Sequence, residues 1–349
     1  MAGVAQVDDA ASLYGHDAAA EALLAAMRGG ALHHAWLITG PPGIGKATFA
    51  RAVAARLLAE GVEPGVLPSR LALPAQHRTA ALLAAGAHPD YRELRRLPKK
   101  DGKDGELARS ITIDQVRALA PFLGTMASMS PRRVIVIDSA DELERPGASN
   151  ALLKSLEEPP AGTIFLLVSH APGRLLPTIR SRCRLLRLEP LDDQAMRAAL
   201  MQALPEASGD DIAALVRVGA GSPGRALRYA ELELSDIDEA LNAIARDGDP
   251  TTSRRAKLAK SLSLKAAQPR YEAFLDRVPG VIAEAAQDRR GVALQVALDA
   301  YTQARDVAGA ARGLSLDAGG TVLELAGLVA RLAGEGDTQD GADLRRARR

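Results

Sequence analysis

Apolar residues in the first half of the chain come in short, dense runs: Ala35 to Thr39, Val134 to Ile137, Thr163 to Ser169 and Cys183 to Leu188. Each is too short for a globular helix and is bounded by turn residues, so each predicts a buried strand. Helical stretches stand between them. Lys46 to Glu60 follows the first run, and Ser149 to Glu157 follows the second. Strands separated by helices predict crossover units, hence an α/β domain with a parallel sheet covered on both faces. Between the first two runs, Gly61 to Ser110 predicts a helix near Thr79 to Ala85, a strand-like Tyr91 to Leu94 and a charged loop, Pro98 to Gly105. Lys99, Lys100 and Lys103 of that loop could touch a nucleic-acid backbone, but a solvated loop is the simpler reading.

From Glu189 onward the strand pattern stops. Leu191 to Leu204, Asp210 to Val218, Arg225 to Leu234 and Ile237 to Arg246 predict short helices, with Gly219 to Gly224 as a turn. Gly248-Asp-Pro-Thr-Thr reads as a linker. Longer helices are expected over Tyr271 to Ala286, Gly291 to Ala311 and Gly320 to Leu332. Phe274, Val278 and Ile282 form an apolar stripe on one of them, and Val292, Leu294, Val296 and Leu298 are expected to form another. The polar residues 334–349 are expected to be disordered. The domains are therefore 1–188 (α/β), 189–248 (helical), 249–333 (all helical) and the tail.

Composition removes several classes of function. Basic and acidic residues number 44 and 43, so no global positive field draws the chain to nucleic acid. Aromatics are 3%, too few for a platform that stacks bases. Cys183 is the single cysteine, so no internal disulfide can form, which fits a reducing compartment. The six histidines have no ligand spacing, so no metal site is expected. Asp8 and Asp9 interrupt the place where a secretory signal needs an apolar core, and no run is long enough to span a membrane. The expectation is a cytoplasmic protein with no membrane partner.

One motif carries phosphate chemistry. Gly40-Pro-Pro-Gly43-Ile-Gly45-Lys46-Ala47 follows a strand and opens a helix, the context a P-loop requires. Its glycines let backbone N–H groups turn toward phosphate oxygens, the helix N-terminus adds its dipole, and Lys46 adds a full charge. An ordinary glycine turn is the bland alternative, and Gly-x4-Gly-Lys in this position outweighs it. Ala47 stands where Ser or Thr would place a hydroxyl on Mg²⁺. Thr48 is one helical step too late, rotated by about 100° and expected to turn away from a metal. Asp138 ends the Val134 to Ile137 run. It either supports a metal or caps the next turn, and this run alone fits both. The residue after it is Ser139, where a hydrolytic ring ATPase carries a glutamate to orient water. Arg182 lies just before the fourth run. There an arginine can reach a neighbouring subunit's nucleotide, or it can simply be solvated. Cys183 beside it reads as a small core residue rather than a nucleophile.

A set of motifs then resembles a known family. His34-Ala35 leading into the P-loop, His88-Pro89-Asp90, Asn150-Ala-Leu-Leu-Lys-Ser-Leu-Glu-Glu-Pro-Pro160, Ser181-Arg182-Cys183 and Gly221-Ser-Pro-Gly-Arg-Ala-Leu227 are similar to the clamp-loader subunits of bacterial DNA polymerase III. Within them, the delta-prime branch fits best. The resemblance covers roughly residues 10 to 230. It implies an AAA+ domain, a small helical lid and a helical collar that holds a hetero-oligomer of delta and gamma/tau-type subunits together. The assembly loads a sliding clamp onto primer-template DNA within a DNA-directed DNA polymerase holoenzyme. It also implies that Arg182 serves in trans as an arginine finger. Gly40, Gly43, Gly45, Lys46 and Asp138 would then form a degenerate nucleotide site, binding ATP or phosphate weakly at most. Many relatives carry four cysteines after the P-loop helix as a zinc module. Gly61 to Gly86 has none, so zinc is not expected. Motor subunits carry arginine at the fourth position of a Gly-Ser-x-Arg lid motif, where this chain has Gly224. The competing reading is a catalytically active AAA+ ATPase of the gamma/tau type.

Overall fold

The computed structural model describes residues 13–30, 32–67, 70–74, 76–99, 107–232, 234–314 and 316–334. Most of the charged loop and residues 335–349 of the expected disordered tail lie outside them. The chain divides into two compact units, one up to residue 227 and one from residue 228. That division falls inside the 189–248 segment that the sequence groups as one helical domain.

The first unit is an α/β domain followed by short helices. Its order is α1 (Asp17–Arg28), β1 (Ala35–Thr39), α2 (Lys46–Val62), α3 (Arg78–Ala84), β2 (Tyr91–Arg95), α4 (Ile113–Arg117), α5 (Leu119–Gly124), β3 (Arg133–Asp138), α6 (Gly147–Glu157), β4 (Thr163–Ser169), α7 (Pro177–Arg180) and β5 (Arg184–Arg187). Helices α8 (Asp193–Ala203), α9 (Gly209–Gly219) and the start of α10 (Pro223–Glu231) follow. The five strands are all parallel, in the order β2-β3-β4-β1-β5. β1 and β4 are buried at every position, as their unbroken apolar runs require of strands covered on both faces. Leu37, Ile135, Ile137, Phe165 and Leu167 share one core with α4, α5 and α6, while α2 packs against β3 and β4.

Register places the chemistry. Thr39 pairs with Ser169, and Asp138 pairs with Val168. The P-loop, Asp138 and the end of β4 therefore emerge together at the carboxyl edge of the sheet, where open α/β sheets bind ligands.

The segment after α2 is held to that helix by polar and apolar contacts. Arg56 is fully buried; its Nη2 donates to Glu60 Oε2 at 2.8 Å and its Nη1 to the Arg70 carbonyl at 2.7 Å. Glu60 Oε1 in turn accepts the Gly65 N–H at 2.9 Å. Ala55, Ala59 and Leu73 form a small satellite core beside these groups.

The second unit contains α11 (Ser235–Asp247), α12 (Ser253–Leu262), α13 (Gln268–Gln287), α14 (Gly291–Leu314) and α15 (Ala318–Ala330) around one apolar cluster. Phe274, Val278 and Ile282 are buried there as the stripe predicts. The stripe expected on α14 is different. Val292 and Leu298 are 69% and 47% exposed, and Ala297, Ala300, Ala304 and Ala308 face the core instead. Residues two apart do not share a helix face, whereas residues three and four apart do. Residues 248–252, read as a linker, form a tight turn: buried Asp249 accepts the Arg255 N–H at 2.9 Å and anchors the start of α12. No helix among the described residues is long and apolar enough to cross a membrane.

Candidate functional site

The P-loop in this structure is closed upon itself. Lys46 opens α2 and is 3% exposed. Its Nζ donates to the carbonyls of Gly40 at 2.8 Å and Pro41 at 2.6 Å, so the ammonium is satisfied by its own loop. Burial pulls its pKa down to about 8, against the opposing fields of Asp141 and Asp138.

The turn leading into α10 and the first residues of that helix sit directly on this loop. Ser222 Oγ donates to the Pro42 carbonyl at 2.9 Å, and the Gly224 N–H donates to the Gly43 carbonyl at 2.9 Å. Two glycines permit the approach. Gly43 has φ +76°, and a Cβ there would lie 2.5 Å from Ser222 Oγ; a Cβ on Gly224 would lie 3.0 Å from Gly43 Cα. The Gly224 departure from the motor motif therefore has a structural consequence: backbone meets backbone where an arginine side chain would otherwise start.

Lys46, Ala47, Asp138 and His170 line a cleft of about 350 Å³, together with residues of α8 and α10. The sequence-predicted Gly43, Gly45, Lys46 and Asp138 are thus brought together, with Gly40 holding the lysine from behind. Thr48 borders the same cleft as Ala47. Asp138 is not free. Arg51 Nη2 stands 3.7 Å from its Oδ2 while donating to Glu93 at 2.8 Å, and Tyr91 OH also donates to Glu93 at 2.8 Å. Burial raises the Asp138 pKa, and Arg51 opposes that shift. Ser139 is buried and donates its hydroxyl to Asp141 Oδ1 at 2.9 Å, so it faces an internal acceptor. Glu142 pairs with Arg96 at 2.7 Å.

Arg51, Asp141, His170 and Ser222 were not singled out from sequence. Ser222 lay within a motif already noted, but nothing in its spacing shows which backbone it meets. Arg51 lies five residues beyond Lys46 on α2, and only the fold reveals that β2 and β3 bring acids to it.

Arg182 stands apart from this cleft. It follows α7, its Nη1 donates to the Thr178 carbonyl at 2.9 Å, and its Nη2 lies 2.7 Å from Glu157 Oε1. Its side chain is 34% exposed. Cys183 beside it packs against the sheet core, and burial pushes its thiol up to about 12, which leaves it a packing residue at neutral pH.

The profile of the family described as "DNA polymerase III, delta subunit" matches residues 15–192. The chain belongs to the DNA polymerase III delta-subunit family. This delta-subunit match covers the whole parallel sheet and includes both the P-loop and Arg182. Two relatives are DNA polymerase III subunits delta-prime. The one from Pseudomonas aeruginosa is 39% identical over 60% of this chain and 59% of its own length. The one from Escherichia coli is 38% identical over 59% of this chain and 57% of its own length. The chain thus matches less than two thirds of each. The DNA polymerase III subunit tau of Escherichia coli is 29% identical over 79% of this chain and 40% of that protein.

Proposed function

We propose that this chain is the delta-prime-type subunit of a DNA polymerase III clamp loader. In this reading it is an AAA+ scaffold that does not hydrolyse ATP. It helps a hetero-oligomer of delta and gamma/tau-type partners load a sliding clamp onto primed DNA, works in the cytoplasm and needs no zinc. It lends Arg182 to a neighbouring subunit's nucleotide. Its collar would be residues 249–333, and the exposed Val292 and Leu298 leave apolar surface there for partner helices.

One observation carries the reading. Ser139 stands where a hydrolytic site needs a carboxylate to orient water, and it is buried with its hydroxyl on Asp141; Asp138 lies 3.7 Å from Arg51. Ala47 supplies no hydroxyl, and Gly224 supplies a backbone contact in place of a cation. Catalysis of phosphoryl transfer rests on a held metal and a positioned nucleophile, so a site that lacks the metal-ligating hydroxyl and the water-orienting carboxylate has little rate to offer.

A steady-state phosphate-release assay on the purified chain tests this. Turnover is expected to be negligible. A rate near ~1 s⁻¹ or above, in the ordinary range of enzymes, would favour the active gamma/tau-like motor instead.

A further inference from the structure

Helix α6 ends on a carboxylate that helix electrostatics disfavour. Glu157 is its last residue and Glu158 its cap. A helix C-terminus carries partial negative charge, so two successive anions there destabilise the helix. Lys154 in the last turn offsets part of that charge, and Arg182 pairs directly with Glu157 at 2.7 Å. An ion pair this exposed, with side chains 34% and 49% accessible, shifts a folding equilibrium by no more than about fivefold. Stability is thus a weak reason for the arrangement.

Geometry supplies a better one. Glu157 and the Thr178 carbonyl grip the guanidinium from two elements, one on Nη2 and one on Nη1. Both elements are anchored in the core. α6 buries Leu152 and Leu156 in the sheet core, and His34 Nε2 donates to the Leu156 carbonyl at 3.1 Å. α7 buries Ile179 completely. A guanidinium has five N–H donors, so two such contacts fix its plane and leave donors over for outside oxygens.

We propose that Glu157 is a positioning residue for Arg182. It sets the plane and direction of the guanidinium at the edge of the α/β domain, so that the remaining N–H groups meet the phosphate of a neighbouring subunit's nucleotide already aligned. The inference rests on the trans-acting role proposed for Arg182. The carboxylate does not touch the nucleotide; it acts only through the arginine.

The test is made in the complex reconstituted with its partner subunits, reading ATP turnover and clamp loading for Glu157→Ala, Arg182→Ala and the double variant. Glu157→Ala is expected to lower the loading rate by about two- to fivefold, the range set by losing one partly exposed ion pair. The loss should fall on kcat, with KM for ATP unchanged, because ground-state binding is made by the neighbour. Glu157→Asp should recover part of it. The double variant should be no slower than Arg182→Ala alone, since two residues acting as one unit are not additive. Melting curves and co-elution check that each variant folds and assembles, and Glu157→Gln replaces alanine if it does not. If Arg182→Ala loses activity while Glu157→Ala loses none, or if the two losses multiply, Glu157 merely staples α6 to α7 and the positioning role is wrong. If Arg182→Ala itself loses nothing, the trans-acting role and the positioning role both fall.

Discussion

Asp90→Ala is expected to destabilise the first unit by about 1–3 kcal/mol, the cost of leaving buried hydrogen-bond donors without their acceptor. Asp90 is 2% exposed and sits just before β2. Its Oδ1 accepts the Ser128 N–H at 2.7 Å, and its Oδ2 accepts those of Met129 at 2.7 Å and Ser130 at 2.9 Å. These bonds fix the loop that enters β3, the strand that carries Asp138 to the site. Alanine leaves those N–H groups without their acceptor, and the Ser130 group is buried. Asn should recover only part, since one of its two terminal groups is a donor facing donors. Chemical denaturation of the variants reads the effect directly. The pH dependence has a definite sign. Burial raises the carboxyl pKa, but the three N–H donors and His88 outweigh it and hold Asp90 below the usual carboxylate range. Its contribution is therefore complete above the unfolded value of about 3.9 and is lost as pH falls through the depressed folded value. An Asp90→Ala protein whose midpoint matches wild type would show that the loop is held by other means.

Arg182→Ala should leave folding intact and damage the assembled complex. Its ion pair is partly exposed, so the stability loss should stay below about 1 kcal/mol. At a site that uses an arginine in trans, the loss is about 10³–10⁵ in rate. Only one kind of interface would lose its arginine, so ATP turnover and clamp loading of the whole complex should fall in part rather than vanish. The variant alone should be indistinguishable from wild type. Arg182→Lys should rescue poorly, because one ammonium cannot reproduce a planar fork. Complexes that load clamps at the wild-type rate with Arg182→Ala would leave this residue a surface arginine.

The legible parts of the chain were those where one pattern acted alone. β1 and β4 were read with the observed boundaries because an unbroken apolar run covered on both faces has no competing period. Helices α4 and α5 were missed, although Thr112 and Gln115 form a capping box at the start of α4. Their short length hid the period that would have revealed them. Helix α12 was missed because Arg254, Arg255, Lys257 and Lys260 mask its few apolar positions, and its start depends on Asp249. The α14 stripe was misplaced because alanine is a weak hydrophobic signal, while the larger Val292 and Leu298 point outward. At the site, the glycines, Lys46 and Asp138 were legible as a motif. The inward turn of Lys46 was not, because a motif does not fix which way its side chain points, and the seat of Ser222 on Pro42 was not, because it joins residues 180 positions apart.

The central claim is membership of a loader assembly, and native mass measurement after co-purification addresses it most directly. The full chain, expressed with delta and gamma/tau-type subunits, is expected to elute with them in one hetero-oligomer of defined mass. Deleting residues 249–333 should abolish that co-elution while leaving the first unit folded. A chain that elutes apart from those partners, at its own 36.6 kDa, would contradict the account.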